Sequence, residues 1–319
     1  MKKILVTAIM LCSSFFAANA QFEASEQKAF SFRHLDFGIS AGTTGLGFDL
    51  ALPFHEQFRV RAGFSFIPKF NKKINFGIEG RKEDENGNWV STKFDSMAEK
   101  FSDLTSLKID DNVDMLGSPN FYNGNLLVDF FPIKNNAFRI TAGFYWGGSK
   151  VASACNTADD AASLLGVTMY NQFYENIENG KPLIVIGEIY VWLDPYQEEK
   201  ILENGRLGMY IGDRKSSGEP YVMEPDENST VKVNIFANSF KPYLGTGYGG
   251  NLTKNGSTKL EFDAGVLFWG GTPEVIAHDG TDLAKDLVNV RGKVGRYVNF
   301  IKGIKVYPVL NLRLSFNLF

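Results

Sequence analysis

Cysteine is nearly absent from this chain, with two residues in 319, Cys12 and Cys155. Cys12 lies in a stretch that reads as a removable leader. The remainder then holds one thiol, which excludes an internal disulfide and a cysteine metal cluster. Histidine is equally scarce, with only His34, His55 and His278. Neither Gly-x-Ser-x-Gly nor His-Glu-x-x-His occurs, so the sequence offers no nucleophile elbow and no zinc-protease helix. We expect no catalytic residues, no cofactor, no metal site and no enzymatic activity. Charge of one sign is also lacking: 33 basic residues stand against 36 acidic ones, a formal net charge of −3. That balance excludes a strongly basic nucleic-acid binder and a strongly acidic disordered chain. Beyond the leader, no segment approaches the roughly 20 apolar residues that a membrane-spanning helix requires. Mean hydropathy is −0.14.

Phenylalanine and glycine are abundant instead, at 28 and 32 residues. The last stretch shows how they are used. Leu310, Leu312, Leu314, Phe316 and Leu318 alternate with Asn311, Arg313, Ser315 and Asn317. This is a period-two strand with one apolar and one polar face. A strand at a chain end needs a partner on each side, and closing a barrel supplies both. Phe319 falls in the polar set, out of phase with the apolar residues before it.

Similar alternation recurs upstream. Leu35, Phe37, Ile39 and Ala41 lead through the turn Gly42-Thr43-Thr44-Gly45 to Leu46, Phe48, Leu50 and Leu52. Further runs are Phe58 to Phe66, Leu126 to Phe130, Phe138 to Trp146, Lys241 to Gly249 and Leu260 to Phe268. The turn is glycine-rich, but no helix follows it to cradle a phosphate. The expectation is an all-β, antiparallel transmembrane barrel of about eight strands. Ten to twelve remain open, because Leu183–Leu193 and residues 230–238 can supply more strands. Three long excursions interrupt the pattern, at 68–121, 148–239 and 270–303. The first is polar, charged and irregular. The second contains a possible helix near 158–178. The third carries Leu283, Leu287, Val290, Val294, Val298 and Ile301 at helical spacing, which predicts a helix near 282–303. In a bacterial outer-membrane barrel the short turns face the periplasm and the long loops face outward. All three excursions fall on the outer side of such a barrel.

At the start, Lys2 and Lys3, the apolar Ile4 to Phe16, and Ala18-Asn19-Ala20 read as a signal peptide over residues 1–20. Residues 21–33 read as a periplasmic lead-in, and 34–319 as the barrel with its excursions.

If the apolar alternates face lipid, the other set faces inward. Its charged members are Asp36, Asp49, Arg59, Arg61, Asp129, Arg139, Glu261, Asp263 and Arg313. An eight-strand interior is only wide enough for side chains to fill it, so these charges must pair. Gly38, Gly47, Gly63, Gly143, Gly245, Gly247 and Gly265 share that face, where they would leave room for a water path. Phe32, Phe54, Phe66, Phe70, Phe131, Trp146, Tyr248, Trp269 and Tyr307 lie near strand ends, where aromatic girdles occur. The acidic clusters Glu83-Asp84-Glu85 and Glu224, Asp226 and Glu227 read as solvated loop charge.

The opening hairpin, Asp129-Phe130-Phe131-Pro132, the run Pro242 to Gly249 and Tyr307-Pro308-Val309 resemble those of uncharacterised outer-membrane β-barrel proteins of Gram-negative bacteria, Bacteroidota members in particular. The resemblance implies an outer-membrane location and offers no activity. It also implies recognition of Leu314, Phe316, Leu318 and Phe319 by the barrel-assembly machinery. Two roles follow for such a chain. One is a structural or surface-interaction protein with a filled interior, whose loops meet an unknown extracellular ligand. The other is a porin-like conduit for small solutes. Outer-membrane lipid is the expected partner and nucleic acid is not.

Overall fold

Eight strands close on themselves in chain order, each hydrogen-bonded to its sequence neighbour within the ring, and the last pairs with the first. The computed structural model describes residues 34–133, 137–254 and 256–318. The signal peptide, the lead-in, Phe32 and Phe319 lie outside these residues. The barrel strands are β1 (Asp36–Gly42), β2 (Gly45–His55), β3 (Phe58–Phe66), β4 (Tyr122–Phe130), β5 (Arg139–Gly147), β6 (Phe240–Asn251), β7 (Thr258–Leu267) and β8 (Tyr307–Asn317). Closure at β1–β8 sets Phe37 opposite Phe316 and Ile39 opposite Leu314, so the apolar face runs unbroken across the seam. The β1–β2 turn is tight, with Gly45 in the left-handed region at φ +87°. A side chain there would strike the Phe66 carbonyl and the backbone of Ile67.

The alternation in each strand sorts polar from apolar in the sense opposite to that of a water-soluble barrel. Phe48, Leu50, Leu126, Ile140, Leu244, Phe262, Leu310 and Leu312 are exposed on the outside. Asp49, Asp129, Arg139, Glu261 and Arg313 are buried inside. Neighbouring rings reinforce the outer face, with Phe58 stacked on Phe130 at 5.0 Å. An apolar outer belt around a polar interior is the pattern that hydrocarbon selects, and backbone closure leaves no unpaired edge within it. Leu312 lies near the middle of β8, 52% exposed, between Ala41 and Phe262. Leu312→Arg is expected to cost about 2–4 kcal/mol of stability in a bilayer. Folding titrations in vesicles read this directly, and an unchanged midpoint would contradict a lipid-facing position.

Eight is the strand number, and the additional strands belong elsewhere. Ile184–Ile186 and Ile189–Val191 form a separate hairpin. Lys232–Phe236 joins a five-stranded sheet in the order 274–277, 232–236, 150–156, 112–119, 72–77. These five segments sit over β7, β6, β5, β4 and β3 respectively, so the sheet continues the barrel wall beyond the belt. Backbone hydrogen bonds cross every junction: Ile67 to Phe121 (2.8 Å), Asn120 to Val151 (2.8 Å), Gly147 to Ser239 (3.1 Å) and Asn238 to Trp269 (3.1 Å). Among the described residues, strands β8, β1 and β2 have no such continuation.

Against this raised wall pack a second sheet, built on Arg206–Arg214, and four helices: α1 (Phe94–Thr105), α2 (Ala161–Glu178), α3 (Pro195–Asn204) and α4 (Gly292–Gly303). They share one apolar core with the wall. It includes Met97 and Phe101 from α1, Leu164, Val167, Tyr170 and Phe173 from α2, and Val113, Leu207, Ile211 and Val298. Asn171 and Tyr170 are buried polar groups satisfied there. The Asn171 amide brackets the backbone of Leu207, and the Tyr170 hydroxyl donates to the Gly205 carbonyl at 2.8 Å. Burial raises the Tyr170 hydroxyl pKa well above the usual tyrosine range.

Two sequence expectations are corrected here. Residues 68–121 are ordered rather than irregular, holding four strands and α1. Their apolar residues are few and widely spaced, and the buried ones pack against distant segments, so no local run announces them. The helix expected over 282–303 begins only at Gly292. Leu283 and Leu287 are buried as their spacing requires, but the Asp282 carboxylate accepts the Val275 and Ala284 amides and holds a turn. Asn289 and Gly292 then take left-handed backbone, at φ +53° and +67°, which breaks any helix upstream. The helix near 158–178 is α2.

Candidate functional site

The barrel interior is where the sequence concentrates its charge, and β2, β3, β4, β5, β7 and β8 aim that charge at one another. The Arg59 guanidinium donates to Asp129 (2.8 Å) and Glu261 (2.9 Å). Arg61 donates to Asp129 (2.9 Å) and Asp263 (3.0 Å). Arg139 donates to Glu261 (3.0 Å) and Asp263 (2.7 Å). Arg313 grips Asp49, with Nε 2.8 Å from Oδ2, and also contacts Glu261. Thr141 Oγ1 adds a bond of 2.7 Å to Asp129. Four arginines thus meet four carboxylates, all buried. The planar guanidinium suits this role, because its fork serves two carboxylates at once. Removal of eight ions from water is costly, and only mutual pairing of this density offsets it.

Asp36, the ninth expected charge, stands apart near the barrel rim farther from the raised wall. Its partner is Lys259 at 3.1 Å. Lys259 and Lys241 are interior cations that the alternation did not single out, because each lies at the first turn of its strand, beside loop residues. Lys241 is fully buried near the opposite end. Its ammonium donates to Asn123 Oδ1 (3.0 Å) and the Ser239 carbonyl (3.3 Å) and sits over the Phe121 ring.

Above the ion pairs the interior turns apolar and aromatic. Phe121, Leu127, Tyr145, Tyr243, Leu267 and Val309 are buried together. Tyr145 meets Tyr243 edge-on at 5.7 Å, and Phe121 stacks on Tyr307 at 5.2 Å. Trp269 packs on Tyr307 at 5.3 Å and donates its indole N–H to the Ile304 carbonyl. Trp269 and Tyr307 therefore close the lumen rather than join a lipid-facing girdle, as their place at strand ends had suggested. Phe131 also turns from lipid, beneath the Arg59 guanidinium at 5.4 Å. Phe54, Phe66, Phe70, Trp146 and Tyr248 are exposed.

The inward glycines do not open a path. Arg313 occupies the space beside Gly38, Arg139 that beside Gly247, and the Tyr243 hydroxyl that beside Gly245 and Gly265. Asp49 packs on Gly63, Ser40 on Gly47 and Leu127 on Gly143. Glycine here admits large side chains from other strands. Between the ion pairs and the aromatic layer lies a cavity of about 20 Å³, lined by Asp49, Arg61, Ser65, Tyr145, Asp263 and Asn311. That is room for about one water molecule.

No family model and no curated protein matches this sequence. Solved structures similar to it include Acinetobacter baumannii CarO2, at a TM-score of 0.37 and 13% identity over 89% of this chain and 98% of that one. A. baumannii CarO gives a TM-score of 0.37 and 12% identity over 91% and 99% of the respective chains. A major outer membrane protein from Thermus thermophilus gives 0.26 and 12% over 89% and 98%. Scores this low carry no argument, and the architecture rests on the closed ladder of strands.

The remaining candidates have local roles. Asp84 accepts the Asn86 and Asn88 amides, which lowers its pKa, and Asp226 accepts those of Asn228 and Thr230. Glu224 forms a two-pronged pair with Arg206, at 2.9 and 2.7 Å. Cys155 is half-buried on the strand Lys150–Asn156. His278 Nδ1 accepts the Lys232 amide at 3.5 Å. Among the described residues no cluster of His, Cys, Asp and Glu is arranged to hold a metal ion.

Proposed function

We propose that this protein resides in an outer membrane and acts as a structural or surface-interaction protein, its barrel serving as a filled anchor for a folded external cap. The observation that carries this reading is the interior itself: an eight-ion network below, an aromatic layer above, and space for about one water between them. A conduit needs a continuous wet path, and side chains occupy this one.

The cap supplies a surface suited to contact. The hairpin Ile184–Val191 projects apolar side chains from both faces, with Ile186 65%, Ile189 66% and Tyr190 61% exposed, and Trp192 beside them. Exposed apolar patches of this kind mark interaction sites. The reading assigns binding and no catalysis. The assembly machinery would engage β8, whose Leu314, Phe316 and Leu318 continue the outer apolar face.

Planar-bilayer recordings test the anchor reading. Purified protein is expected to give no steady conductance, and liposomes carrying it are expected to swell in sugar solutions no faster than empty ones. A large, stable unitary conductance would overturn it in favour of a small-solute pore.

A further inference from the structure

Two segments of this chain carry several basic residues and no acid. Residues 67–77 contain Lys69, Lys72 and Lys73 and no acid. Residues 290–306 contain Arg291, Lys293, Arg296, Lys302 and Lys305 and no acid. The two segments thus hold eight cations and no carboxylate of their own, in a protein of net charge −3.

The fold brings the two segments together. Lys72–Gly77 is an edge of the raised wall, paired on one side only, with Asn112–Pro119. Helix α4 stands next to it and leads directly into β8. Val294 and Val298 of α4 face the core. Lys293, Arg296, Tyr297 and Phe300, spaced i, i+3, i+4 and i+7, share the opposite face. The Lys293 ammonium reaches the Asn75 carbonyl at 3.2 Å, which joins the two walls at one point. Between them lies a groove of about 620 Å³ lined by Lys73, Ile74, Asn75, Lys293, Arg296, Tyr297 and Phe300. No acid lines it. Lys73 is already paired with Asp114 at 2.5 Å, and hydrogen bonds from Lys73 and Asn75 hold that carboxyl below the usual range. Arg296 makes no hydrogen bond or ion pair with any described residue, and Phe300 is 68% exposed. Arg296 and the rings of Tyr297 and Phe300 are thus all presented to the groove's exterior.

Position decides the occupant. The wall edge rises from β3 only a few residues past Phe66, and three residues separate the end of α4 from Tyr307. Between β3 and β8 lie β1 and β2, whose two-residue turn at Thr43-Thr44 is held low against β8 by the Thr43 amide on Leu310 and the Tyr307 hydroxyl on Thr43. The groove therefore stands over the sector of the barrel without a raised wall, and among the described residues nothing separates it from the level at which a bilayer surface would meet that sector. We propose that it holds the phosphorylated sugar headgroup of an outer-leaflet glycolipid. Lys293 and Arg296 meet the phosphate, and Tyr297 and Phe300 lie against the sugar face. Cations and aromatic rings at headgroup height are the side chains that interface recruits.

The proposal rests on the membrane reading, and the experiment separates the two. Protein is reconstituted in phosphatidylcholine nanodiscs containing bis-phosphorylated lipid A, and lipids retained on the ejected protein are identified by native mass spectrometry. Protein that does not enter discs defeats the membrane reading itself. Protein that enters is expected to retain lipid A over phosphatidylcholine, and not to retain dephosphorylated lipid A. Lys293→Glu with Arg296→Glu is expected to lower retention by at least about tenfold, given the attraction of each cation to an anionic surface. Tyr297→Ala with Phe300→Ala should also lower it. Lys181→Glu with Lys215→Glu makes the same change of charge elsewhere on the cap and should leave retention unchanged. Equal retention by the groove variants, or equal retention of dephosphorylated lipid A, would overturn the proposal. So would displacement of the lipid by inorganic phosphate at comparable concentration, which would make the ligand a free anion.

Discussion

Glu261→Gln is expected to destabilise the barrel by about 3–5 kcal/mol, the cost of removing one partner from a buried ion pair. Glu261 contacts Arg59, Arg139 and Arg313 at once. Its loss leaves four arginines facing three carboxylates in a buried interior. The substitution keeps the shape of the side chain, so the effect reports charge rather than packing. The urea midpoint for unfolding from vesicles measures it, as does the temperature at which the folded band disappears on a denaturing gel. Asp36→Asn is the comparison. Its partner Lys259 is partly exposed at the rim, and the loss there is expected to be about 1 kcal/mol or less. If Glu261→Gln and Asp36→Asn behaved alike, the interior network would not hold the barrel together.

Phe101→Ala is expected to have an effect of similar size in the other half of the molecule. Phe101 is 1% exposed, and its ring lies 6.1 Å from those of Tyr170 and Phe173. Truncation leaves a cavity between α1 and α2, at a cost of about 3–5 kcal/mol. Because Phe101 contributes nothing to the barrel interior, the damage should stay in the cap. Limited proteolysis of vesicle-inserted protein separates the two. The cap of the variant is expected to be cut faster while the barrel fragment remains protected. A variant whose cap resists as well as the native protein would show that the cap is not held by this core.

The barrel strands were legible in the sequence for a simple reason. In a barrel that spans a bilayer every strand has two environments of opposite polarity, and side chains alternate between them with period two. The run from Leu310 to Leu318 states its orientation without any knowledge of its neighbours. The nine interior charges followed from the same alternation. The cap was far less legible. Met97, Phe101, Ile109 and Val113 bury together with Leu207 and Ile211, nearly a hundred residues away, and no short window contains enough of them to form a pattern. The spacing of Leu283 to Ile301 did identify buried positions. It did not distinguish a helix from a turn held by the Asp282 side chain. The basic, acid-free composition of 67–77 and 290–306 was present in the sequence, but its meaning required knowing that the two segments are neighbours.

The sequence by itself therefore determined the inside and outside of this barrel, since each residue's polarity is a local property and a membrane strand exposes it twice per repeat. Whether the inside is open was decided only by the tertiary structure. Gly38 and Gly247 look like vacant space in the sequence and are filled by Arg313 and Arg139 from other strands. Occupancy of a lumen is a sum over all eight strands at once, and no single strand contains it.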